Sequence, residues 1–467
     1  MDSIPIRSCR LPPYNSQISA IERDLSVILR ATREVKNTLV LVNRLPPEVL
    51  SRALEHRASE ETLIKATHIC QYWRSTLTSS PSLWTHLWFP SDKNVDRALT
   101  YLERSKSVPI HVRITSGFSE SLEAFQHLTP HLARMRSCSI QGTNVDIHGL
   151  FARFRNSTPS LTRLEIYSDG ISIPIFGDLP SGLRPSFEHP FPLHNLTEVQ
   201  LSLKPDAPEL NISALFRFLS YSPRLQDIYI IIISGEVLYD DTLDQVVTLD
   251  SLVRLDYTGS SVDRILPCLR LARLRQLRVS SRSDRVQNLA DILPNGGRFL
   301  LAGATEMSYY SDPPFYMVGL SGEGISVSLA LYRPVTGTAP TDWLSDETWI
   351  PFGRIETLTV GGRSVAPNLP INIFQNLGVL RATLECIPST GGFWRLLFQG
   401  EEISCRSLRE VRYTYQGSLG PLIRLAKERK RVGYQLGLVQ LFTGDEPDLD
   451  RVAELREHVV EVQFSKL

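Results

Sequence analysis

The side chains that could do chemistry in this sequence do not fall into a catalytic arrangement. Gly319-Leu-Ser321-Gly-Glu323-Gly324 approaches the G-x-S-x-G turn that exposes a nucleophilic serine, but Glu323 stands where that motif requires its last glycine. We therefore interpret the stretch as a turn. The chain also lacks a phosphate-binding loop, an H-E-x-x-H sequence and any paired Cys/His spacing typical of a metal site. These patterns predict a protein that is not an enzyme, with no catalytic residue, cofactor or metal.

The remaining reactive residue types favour structural roles. The 10 histidines are dispersed, and His68 falls within a predicted helix. The 6 cysteines include no C-x-x-C pair, so they predict no disulfide framework and fit a reducing, cytoplasmic or nuclear setting. Lys427-Glu-Arg-Lys-Arg431 is a basic run on a predicted helix. We interpret this run as a solvated helix face, with a nuclear-import signal as the alternative.

Composition narrows the classes of partner. The chain has 467 residues, more than one ordinary domain, and its 50 basic and 50 acidic side chains cancel. Zero net charge argues against binding that is driven by nucleic-acid phosphates or by an anionic membrane surface. No run approaches the roughly 18 apolar residues that a membrane-spanning helix needs. The sequence therefore predicts protein partners, with no nucleic acid and no membrane.

The stretch from Asn43 to Phe89 organises the chain, and it is predicted to form three short helices. The first begins at Pro46-Pro47, because proline is tolerated in a first helical turn. Ser59 can cap the second, whose apolar residues recur at helical spacing up to Leu77. Ser80-Pro81 is predicted to open the third, which would carry Leu83, Trp84 and Leu87. Three such helices cannot bury Trp73, Trp84 and Trp88 among themselves, so some apolar surface must face another chain or the following domain.

This stretch resembles an F-box, and more narrowly the fungal F-box proteins. The resemblance is carried by Leu45-Pro46-x-Glu48-Val49-Leu50, Leu63, His68-Ile69-Cys70-x-x-Trp73 and Leu83-Trp84-x-x-Leu87. It implies docking on a Skp-type adaptor, and through it on a cullin-RING ubiquitin ligase, while the rest of the chain holds an unknown protein substrate. The adaptor-binding residues implied are Leu45, Pro46, Glu48, Val49, Leu50, Leu54, Leu63, Ile69, Cys70, Trp73, Leu83 and Trp84. Ala53 and Arg57 depart from the family pattern, which leaves open a non-ligase protein-interaction scaffold with a degenerate F-box.

A heptad-like stripe precedes the F-box-like stretch. Steps of three and four residues separate Ile18, Ile21, Leu25, Ile28, Thr32, Val35 and Leu39. The pattern indicates a helix that either packs against the following helices or forms a short coiled coil with a second chain. At this length we favour packing within the chain.

After Phe89 a phrase of the type L-x-x-L-x-L recurs. It starts at Met135, Leu161, Leu196, Leu225, Leu252, Leu274, Ile355 and Leu408. The spacing resembles the diverged leucine-rich repeats that follow fungal F-boxes, which implies a solenoid with one strand per unit and a parallel sheet. Between Leu274 and Ile355 no clean phrase occurs, and we interpret this part as degenerate repeats with an inserted hairpin or loop.

The candidate substrate-binding residues flank the fourth position of each phrase. In a strand these residues point away from the core side chains. They are Glu165, Gln200, Tyr229, Arg254, Asp256, Arg278 and Arg412. The set is mixed in charge and poor in aromatic residues, so it indicates no particular ligand.

The sequence as a whole predicts an α+β protein, with a small all-α F-box followed by an α/β leucine-rich-repeat-like solenoid. The predicted segments are a loose stretch at 1–15, a helix at 16–40, the F-box domain at 41–92 and the solenoid at 93–467. Insertions are expected near 168–193 and 281–354. The function expected is substrate recognition within an SCF-type E3 ubiquitin ligase.

Overall fold

A computed structural model of the chain describes most of the residues discussed here. These are 14–55, 59–90, 95–115, 126–142, 158–168, 193–203, 210–211, 219, 222–232, 237–238, 246–259, 262–281, 293–294, 301–312, 315–332, 350, 352–362, 374–384, 397, 405–415, 419–443 and 448–466. The chain divides into two compact units: the first comprises 1–89 and 93–112, and the second comprises 90–92 and 113–467. The expected loose segment at 1–15 and the insertion near 168–193 lie largely outside the described residues, as does the departing Arg57.

The helices concentrate in the first unit. The α-helices are α1 (Tyr14–Leu39), α2 (Pro47–Glu55), α3 (Glu60–Thr67), α4 (Gln71–Thr78), α5 (Val95–Arg104), α6 (Val262–Ile265), α7 (Gly420–Arg431) and α8 (Leu449–Arg456). Single 3-10 turns occur at Leu41–Arg44, Pro81–Trp84, Thr129–Arg134, Leu266–Cys268 and Phe352–Arg354. As predicted, α2 begins at Pro47, and the Ser59 side chain accepts a hydrogen bond from the Thr62 backbone N–H at the start of α3.

Two details of the predicted helices were wrong. The apolar run up to Leu77 forms two helices, because the chain turns extended at Cys70 and the Arg74 side chain caps the Thr67 carbonyl at 3.0 Å. His68 therefore ends a helix instead of lying inside one. The third helix is only a 3-10 turn, since Leu87 lies in strand β1 (His86–Pro90), where buried and exposed side chains alternate as in any strand with one covered face.

The first unit extends past residue 92, where the sequence placed a domain boundary. Helix α5 contributes Tyr101, whose ring meets Trp84 edge-on with the centroids 4.8 Å apart. Arg97 of α5 forms an ion pair with Glu60 of α3 at 2.7 Å. The helix therefore completes the core around Trp84 instead of opening the second domain.

Helix α1 does not pack as we favoured from the sequence. Every residue of its apolar stripe is exposed, and between Ser16 and Leu39 only Ala20 and Asn37 are partly covered. Its last turn leads through Leu41–Arg44 directly into α2, so no long linker separates the two helices. The stripe is therefore not packed against the following helices, contrary to the arrangement we favoured from the sequence.

Twenty strands are described in the chain. They are β1 (His86–Pro90), β2 (Ile110–Thr115), β3 (Met135–Gly142), β4 (Arg163–Ser168), β5 (Glu198–Leu203), β6 (Leu210–Asn211), β7 (Asp227–Ile232), β8 (Val237–Leu238), β9 (Val247–Thr248), β10 (Arg254–Gly259), β11 (Leu269–Arg270), β12 (Gln276–Ser281), β13 (Glu306–Asp312), β14 (Phe315–Gly322), β15 (Ile325–Tyr332), β16 (Thr357–Gly362), β17 (Val379–Leu384), β18 (Glu410–Tyr415), β19 (Leu436–Thr443) and β20 (Val459–Lys466). β6 pairs with β8, and β9 pairs with β11, in two small separate sheets.

A large sheet fills the second unit. From β3 onwards its strand order is β3-β4-β5-β7-β10-β12-β15-β14-β13-β16-β17-β18-β19-β20. All described neighbours in this row are parallel except the two pairs made by β14. The chain is therefore a mixed α/β protein with a helical N-terminal region and a large, mostly parallel sheet.

The L-x-x-L-x-L phrases predicted these strands correctly. Each phrase ends in a strand, and the fourth-position residues Leu164, Val199, Ile228, Leu255 and Leu277 pair in one register across β4, β5, β7, β10 and β12. All five side chains are buried. The phrase works because its first, fourth and sixth residues are apolar, and the last two of these lie two residues apart on one face of a strand.

The region that lacked a clear phrase holds an antiparallel hairpin. β14 and β15 pair up to Gly322 and Ile325, so only Glu323 and Gly324 form the turn, and both have positive φ (41° and 80°). Gly319 and Ser321 lie within β14, so our interpretation of the whole stretch as a turn holds only for its end. Strand β13 pairs antiparallel with β14, and the three strands enter the sheet in reverse order, with β15 beside β12 and β13 beside β16.

The basic run on α7 is not a fully solvated helix face. Lys427, Lys430 and Arg431 are exposed, but Arg429 is completely buried. Its guanidinium donates to the carbonyl oxygens of Cys405 and Leu408. Burial of an arginine requires such acceptors, which a sequence pattern does not reveal.

Candidate functional site

The predicted adaptor-binding residues divide by exposure. Leu50, Leu63 and Trp84 are buried and belong to the core of the first unit. Leu45, Leu54, Cys70, Trp73 and Leu83 are partly exposed, and Pro46, Glu48, Val49 and Ile69 are exposed. A partner can therefore touch the last two groups directly, whereas the buried trio can act only by supporting them.

Trp84 holds the first unit together. Its indole N–H donates to the Leu77 carbonyl at 2.8 Å, which satisfies its one polar atom inside the core. Tyr101 covers one edge of the ring, and the Arg104 guanidinium lies 4.5 Å from the ring centroid. These contacts fix α5 and the Pro81–Trp84 turn around one aromatic centre.

Two hydrogen bonds fix the position of the Leu45-Pro46 segment. The Trp73 indole N–H donates to Asn43 Oδ1 at 2.6 Å, and the Tyr72 hydroxyl donates to the Leu45 carbonyl at 2.5 Å. Both donors come from α4. The segment before α2 is therefore held by side chains, so that Leu45 keeps one geometry without regular secondary structure of its own.

Val49 and Ile69 are the apolar residues of this set most open to solvent. Val49 of α2 is 49% exposed, and Ile69, between α3 and α4, is 58% exposed. Large exposed apolar side chains next to a rigid core are typical of protein-protein contacts. In the first unit, we therefore choose these two positions for substitutions that test binding of a docking partner.

The predicted substrate-binding residues of the second unit fall into one row across the sheet. Glu165, Gln200, Tyr229, Asp256 and Arg278 are direct register neighbours on β4, β5, β7, β10 and β12. Neighbouring strands lie about 4.8 Å apart, so the row spans roughly 19 Å. The structure thus brings five residues that are far apart in sequence onto one polar surface. We call these five residues the sheet-face row.

Ion pairs organise one end of this surface. Arg163 lies 2.6 Å from Glu165 and 3.4 Å from Glu198 on the next strand. Partial burial acts to lower the pKa of Arg163, but the two carboxylates outweigh it and raise that pKa. Burial and the Glu165 charge raise the pKa of the neighbouring Tyr167 hydroxyl. At this end the charges are paired within the chain.

Arg254 organises the middle of the surface. Its guanidinium donates to the Tyr229 hydroxyl at 2.6 Å and to Gln276 Oε1 at 2.7 Å, and Asp227 lies 3.8 Å away. The hydrogen bond to Tyr229, followed by the nearby charges of Tyr229 and Asp227, raises the pKa of Arg254. One exposed side chain therefore bridges three strands and sets the orientation of the Tyr229 ring.

Asp256 is a partly buried carboxyl group of the sheet-face row. Partial burial raises the pKa of its carboxyl group, and the nearby charge of Arg278 offsets only part of that effect. A carboxylate held with little water is ready to accept a hydrogen bond or an ion pair from a ligand.

Arg412 lies on β18, apart from the other predicted residues. It pairs with Glu410 on its own strand and is the register neighbour of Arg381 on β17. Strands β15, β14, β13, β16 and β17 separate it from Arg278 in the sheet. The structure therefore does not bring Arg412 together with the other six residues.

The described residues offer binding groups and no set of metal ligands. Within those residues no group of three or more His, Cys, Asp or Glu side chains comes together in a way that could hold a metal ion. None of the described helices is long and apolar enough to cross a membrane. The arrangement can contact a protein through apolar side chains in the first unit and through paired polar groups on the sheet.

Sequence reasoning missed two residues that support the surface of the first unit, and one strand of the sheet. Asn43 and Tyr72 hold the Leu45 segment, and Asn43 was visible only as the first residue of the F-box-like stretch. Leu377 starts a further L-x-x-L-x-A phrase, whose strand is β17. Its spacing up to Leu380 matches the other phrases, so this strand could have been found.

No protein-family model matches the chain, and no curated protein matches it.

Proposed function

We propose that the protein is the substrate-recognition subunit of an SCF-type E3 ubiquitin ligase. In this proposal the first unit is an F-box that docks on a Skp-type adaptor. The second unit is a leucine-rich-repeat-like solenoid that binds the protein substrate. The proposed compartment is the cytoplasm or nucleus, where such ligases act.

One observation carries the docking half of the proposal. The apolar residues in the F-box-like pattern divide into a buried set that builds the fold and an outer set that includes Val49 and Ile69. A self-contained helical unit has no need for two large apolar side chains in water. A pattern that buries one part and exposes another is what a docking module requires.

The sheet supports the substrate half. Each L-x-x-L-x-L phrase yields one strand, and consecutive phrases from β3 to β12 yield parallel neighbours. This is the arrangement expected of stacked repeats, in which each unit buries its apolar face against the next. The partly exposed sheet-face row then offers a polar surface that runs across these strands, with Tyr229 as its aromatic member.

The protein's role in ubiquitin transfer would be positional. None of the residues on the two surfaces needs to react. Holding a substrate beside a ubiquitin-loaded enzyme raises the local concentration of the reacting groups and thus the rate of transfer.

The test is co-purification of the full chain with a Skp-type adaptor. We compare wild type with Val49→Glu and Ile69→Glu, which place charge at exposed positions and leave the core intact. Val246→Glu is the matched control, because Val246 is 48% exposed and lies in the second unit. We expect each docking variant to weaken adaptor binding by at least about tenfold, a loss of about 1.4 kcal/mol, and the control to bind as wild type does.

Leu45→Ala/Pro46→Ala provides a second, independent disruption of the same surface. Circular dichroism of every variant establishes that it is folded. A folded wild-type chain that fails to bind the adaptor would rule out the ligase role and leave the protein-interaction scaffold, for which the departure at Ala53 is the motivating feature.

A further inference from the structure

The apolar stripe of helix α1 faces water along its whole length. Ile21, Ile28 and Val35 are 66%, 61% and 63% exposed, and Ile18, Leu25 and Leu39 are exposed as well. These residues alternate at three and four positions, which is the a/d pattern of a coiled-coil seam. Thr32, the polar member of the stripe, donates its hydroxyl to the Ile28 carbonyl at 2.9 Å, so it can enter an apolar seam without an unsatisfied group.

The face of α1 opposite the stripe is the one that lies towards the rest of the first unit. A cleft beside the start of α4 is lined from α1 by Ser26, Leu29, Arg30, Arg33, Glu34 and Asn37. At 3.6 residues per turn the centre of this set lies about 140° round the helix axis from the stripe, and Leu29 lies at the edge of the set nearest the stripe. The Asn43 amide donates to the Asn37 carbonyl at 2.7 Å and so fixes the last turn of α1. The helix therefore presents its stripe away from its own unit.

We propose that a second copy of this chain covers the stripe, in an antiparallel two-stranded coiled coil of the two α1 helices. In the register that uses most of the helix, Ile21 lies opposite Leu39 of the second copy, Leu25 opposite Val35, and Ile28 opposite Thr32. The two-fold axis repeats each of these pairings. Apolar side chains then fill every layer of the seam except the Ile28–Thr32 layers.

The charged residues beside the seam favour a second α1 helix as the partner, and they favour an antiparallel orientation of the two helices. Glu22 and Lys36 each follow a seam residue and flank it on the same side of the helix. In the antiparallel register Glu22 of each copy faces Lys36 of the other, which gives two opposite-charge contacts. In a parallel pair Glu22 would face Gln17 and Lys36 would face Ala31, and neither contact would be attractive. Flanking charges of this kind set coiled-coil orientation.

The position of Leu29 also favours the antiparallel orientation of the two helices. Leu29 flanks the seam on the side that carries Glu22 and Lys36, and it is 48% exposed at the edge of the cleft beside α4. In the antiparallel register the two Leu29 side chains meet near the two-fold axis and extend the apolar contact. A parallel arrangement would leave each of them beside Asp24 of the other copy.

The seam is about three heptads long, so the dimer is expected to be weak and concentration-dependent, with a dissociation constant roughly in the micromolar range. Sedimentation velocity of the full chain over a concentration series measures this directly. Wild type should shift from monomer to dimer as concentration rises.

Substitutions at two adjacent residues distinguish a specific effect on the seam from a general effect of adding charge to the helix surface. Ile28→Glu places a charge in the seam and should weaken dimerisation by about a hundredfold or more. Val27→Glu is the matched control, since Val27 is 66% exposed but lies well away from the stripe. It should dimerise as wild type does. A wild-type chain that stays monomeric throughout the series, or equal losses in both variants, would overturn the proposal.

The direction of the helices has its own test. Glu22→Lys should weaken the dimer, and adding Lys36→Glu in the same chain should restore it, because the exchanged charges still face each other in the antiparallel register. Leu29→Cys, made together with Cys70→Ser because Cys70 lines the same cleft, should form a disulfide between copies under mild oxidation. Failure of both the charge-exchange rescue and the crosslink would exclude the antiparallel arrangement. None of these readouts involves an adaptor or a substrate, so the dimer and the ligase role can fail separately.

Discussion

The guanidinium of Arg429 holds the backbone carbonyl of Cys405 from a helix that follows it in the chain. Both terminal nitrogens of Arg429 donate to this oxygen, at 3.2 and 3.3 Å, and one of them also donates to the Leu408 carbonyl at 2.9 Å. Cys405 has a φ of 57°, a left-handed backbone that is unfavourable for any residue other than glycine. The buried arginine thus ties α7 to the turn before β18 and stabilises a strained residue there.

Replacing Arg429 should destabilise the second unit. Arg429→Met keeps most of the side-chain volume but removes the donors to both carbonyls, so we expect a loss of roughly 2–4 kcal/mol. Arg431→Met, on the exposed side of the same helix, should change stability by less than about 0.5 kcal/mol. Urea unfolding followed by circular dichroism measures both. Equal stability of the two variants would show that the buried hydrogen bonds of Arg429 make no net contribution to the free energy of unfolding.

Gly319 and Ser308 should behave as a coupled pair. They are register neighbours on β14 and β13, and a Cβ on Gly319 would collide with Ser308 Oγ. Gly319→Ala alone should therefore lower thermal stability, by about 1–3 kcal/mol. Adding Ser308→Ala should recover most of that loss, because the nearest remaining side-chain atom, Ser308 Cβ, is 3.7 Å away.

Gly322 supplies the contrast for this experiment. A Cβ there would collide with the backbone carbonyl of Gly303 and approach the Thr305 backbone nitrogen to 2.8 Å. Gly322→Ala should be destabilising, and Ser308→Ala should not rescue it. Rescue of both glycine variants, or of neither, would contradict the arrangement of the hairpin in the sheet.

The Asn43–Trp73 hydrogen bond should contribute measurable coupling in the first unit. Asn43→Ala removes the acceptor for the indole and also the donor to Asn37, and Trp73→Phe removes the indole N–H together with one ring of the side chain. We expect losses of about 1–2 kcal/mol for each single variant and a smaller loss for the double variant than the sum of the two. A double-mutant cycle by thermal unfolding tests this. Strict additivity would mean that the two side chains do not interact in solution.

Asp256 should make stability fall as pH rises. Because its pKa is raised in the folded state, mainly by burial, the folded chain binds its proton more tightly than the unfolded chain does. The destabilisation is absent below the unfolded pKa, develops as pH rises from the unfolded to the folded pKa, and is complete above the folded pKa. Asp256→Asn should therefore raise the melting temperature at pH 7, by less than about 1 kcal/mol in free energy, with the gain vanishing in acid.

Arg278→Gln tests the same argument from the other side. The Arg278 charge lowers the pKa of Asp256, so its removal should raise that pKa further and increase the destabilisation at neutral pH. A melting temperature that is unchanged at pH 7 in both variants would show that Asp256 is fully hydrated.

Local patterns predicted the strands well because each L-x-x-L-x-L phrase sets its own alternation of buried and exposed side chains. Leu164 and Ile166 need only lie two residues apart on a strand to share the buried face. The strand order could not be read in the same way. The pairing of β12 with β15 joins residues about 50 positions apart along the chain, and no local period encodes it.

The helical predictions failed where a distant side chain decides the outcome. Arg74 caps the end of α3, and Cys405 accepts from Arg429, so neither the break after Thr67 nor the burial within the basic run is visible in local spacing. For the stripe of α1, the local pattern predicted the helix but not its packing partner. Its period predicted an amphipathic helix correctly, but a period alone does not specify which surface covers the apolar side.

The hairpin of β14 and β15 has a consequence for how the sheet forms. Strands joined by a two-residue turn can meet within about 10 μs, whereas parallel neighbours must first close a much longer crossover. We therefore expect the hairpin to act as a nucleus for folding. Once β13 has paired with β14, the three strands offer β15 as a growing edge to the part of the chain before them and β13 as a growing edge to the part after them. The sheet would then assemble outwards from its middle, and lesions in the hairpin would slow folding more than equal lesions at β20.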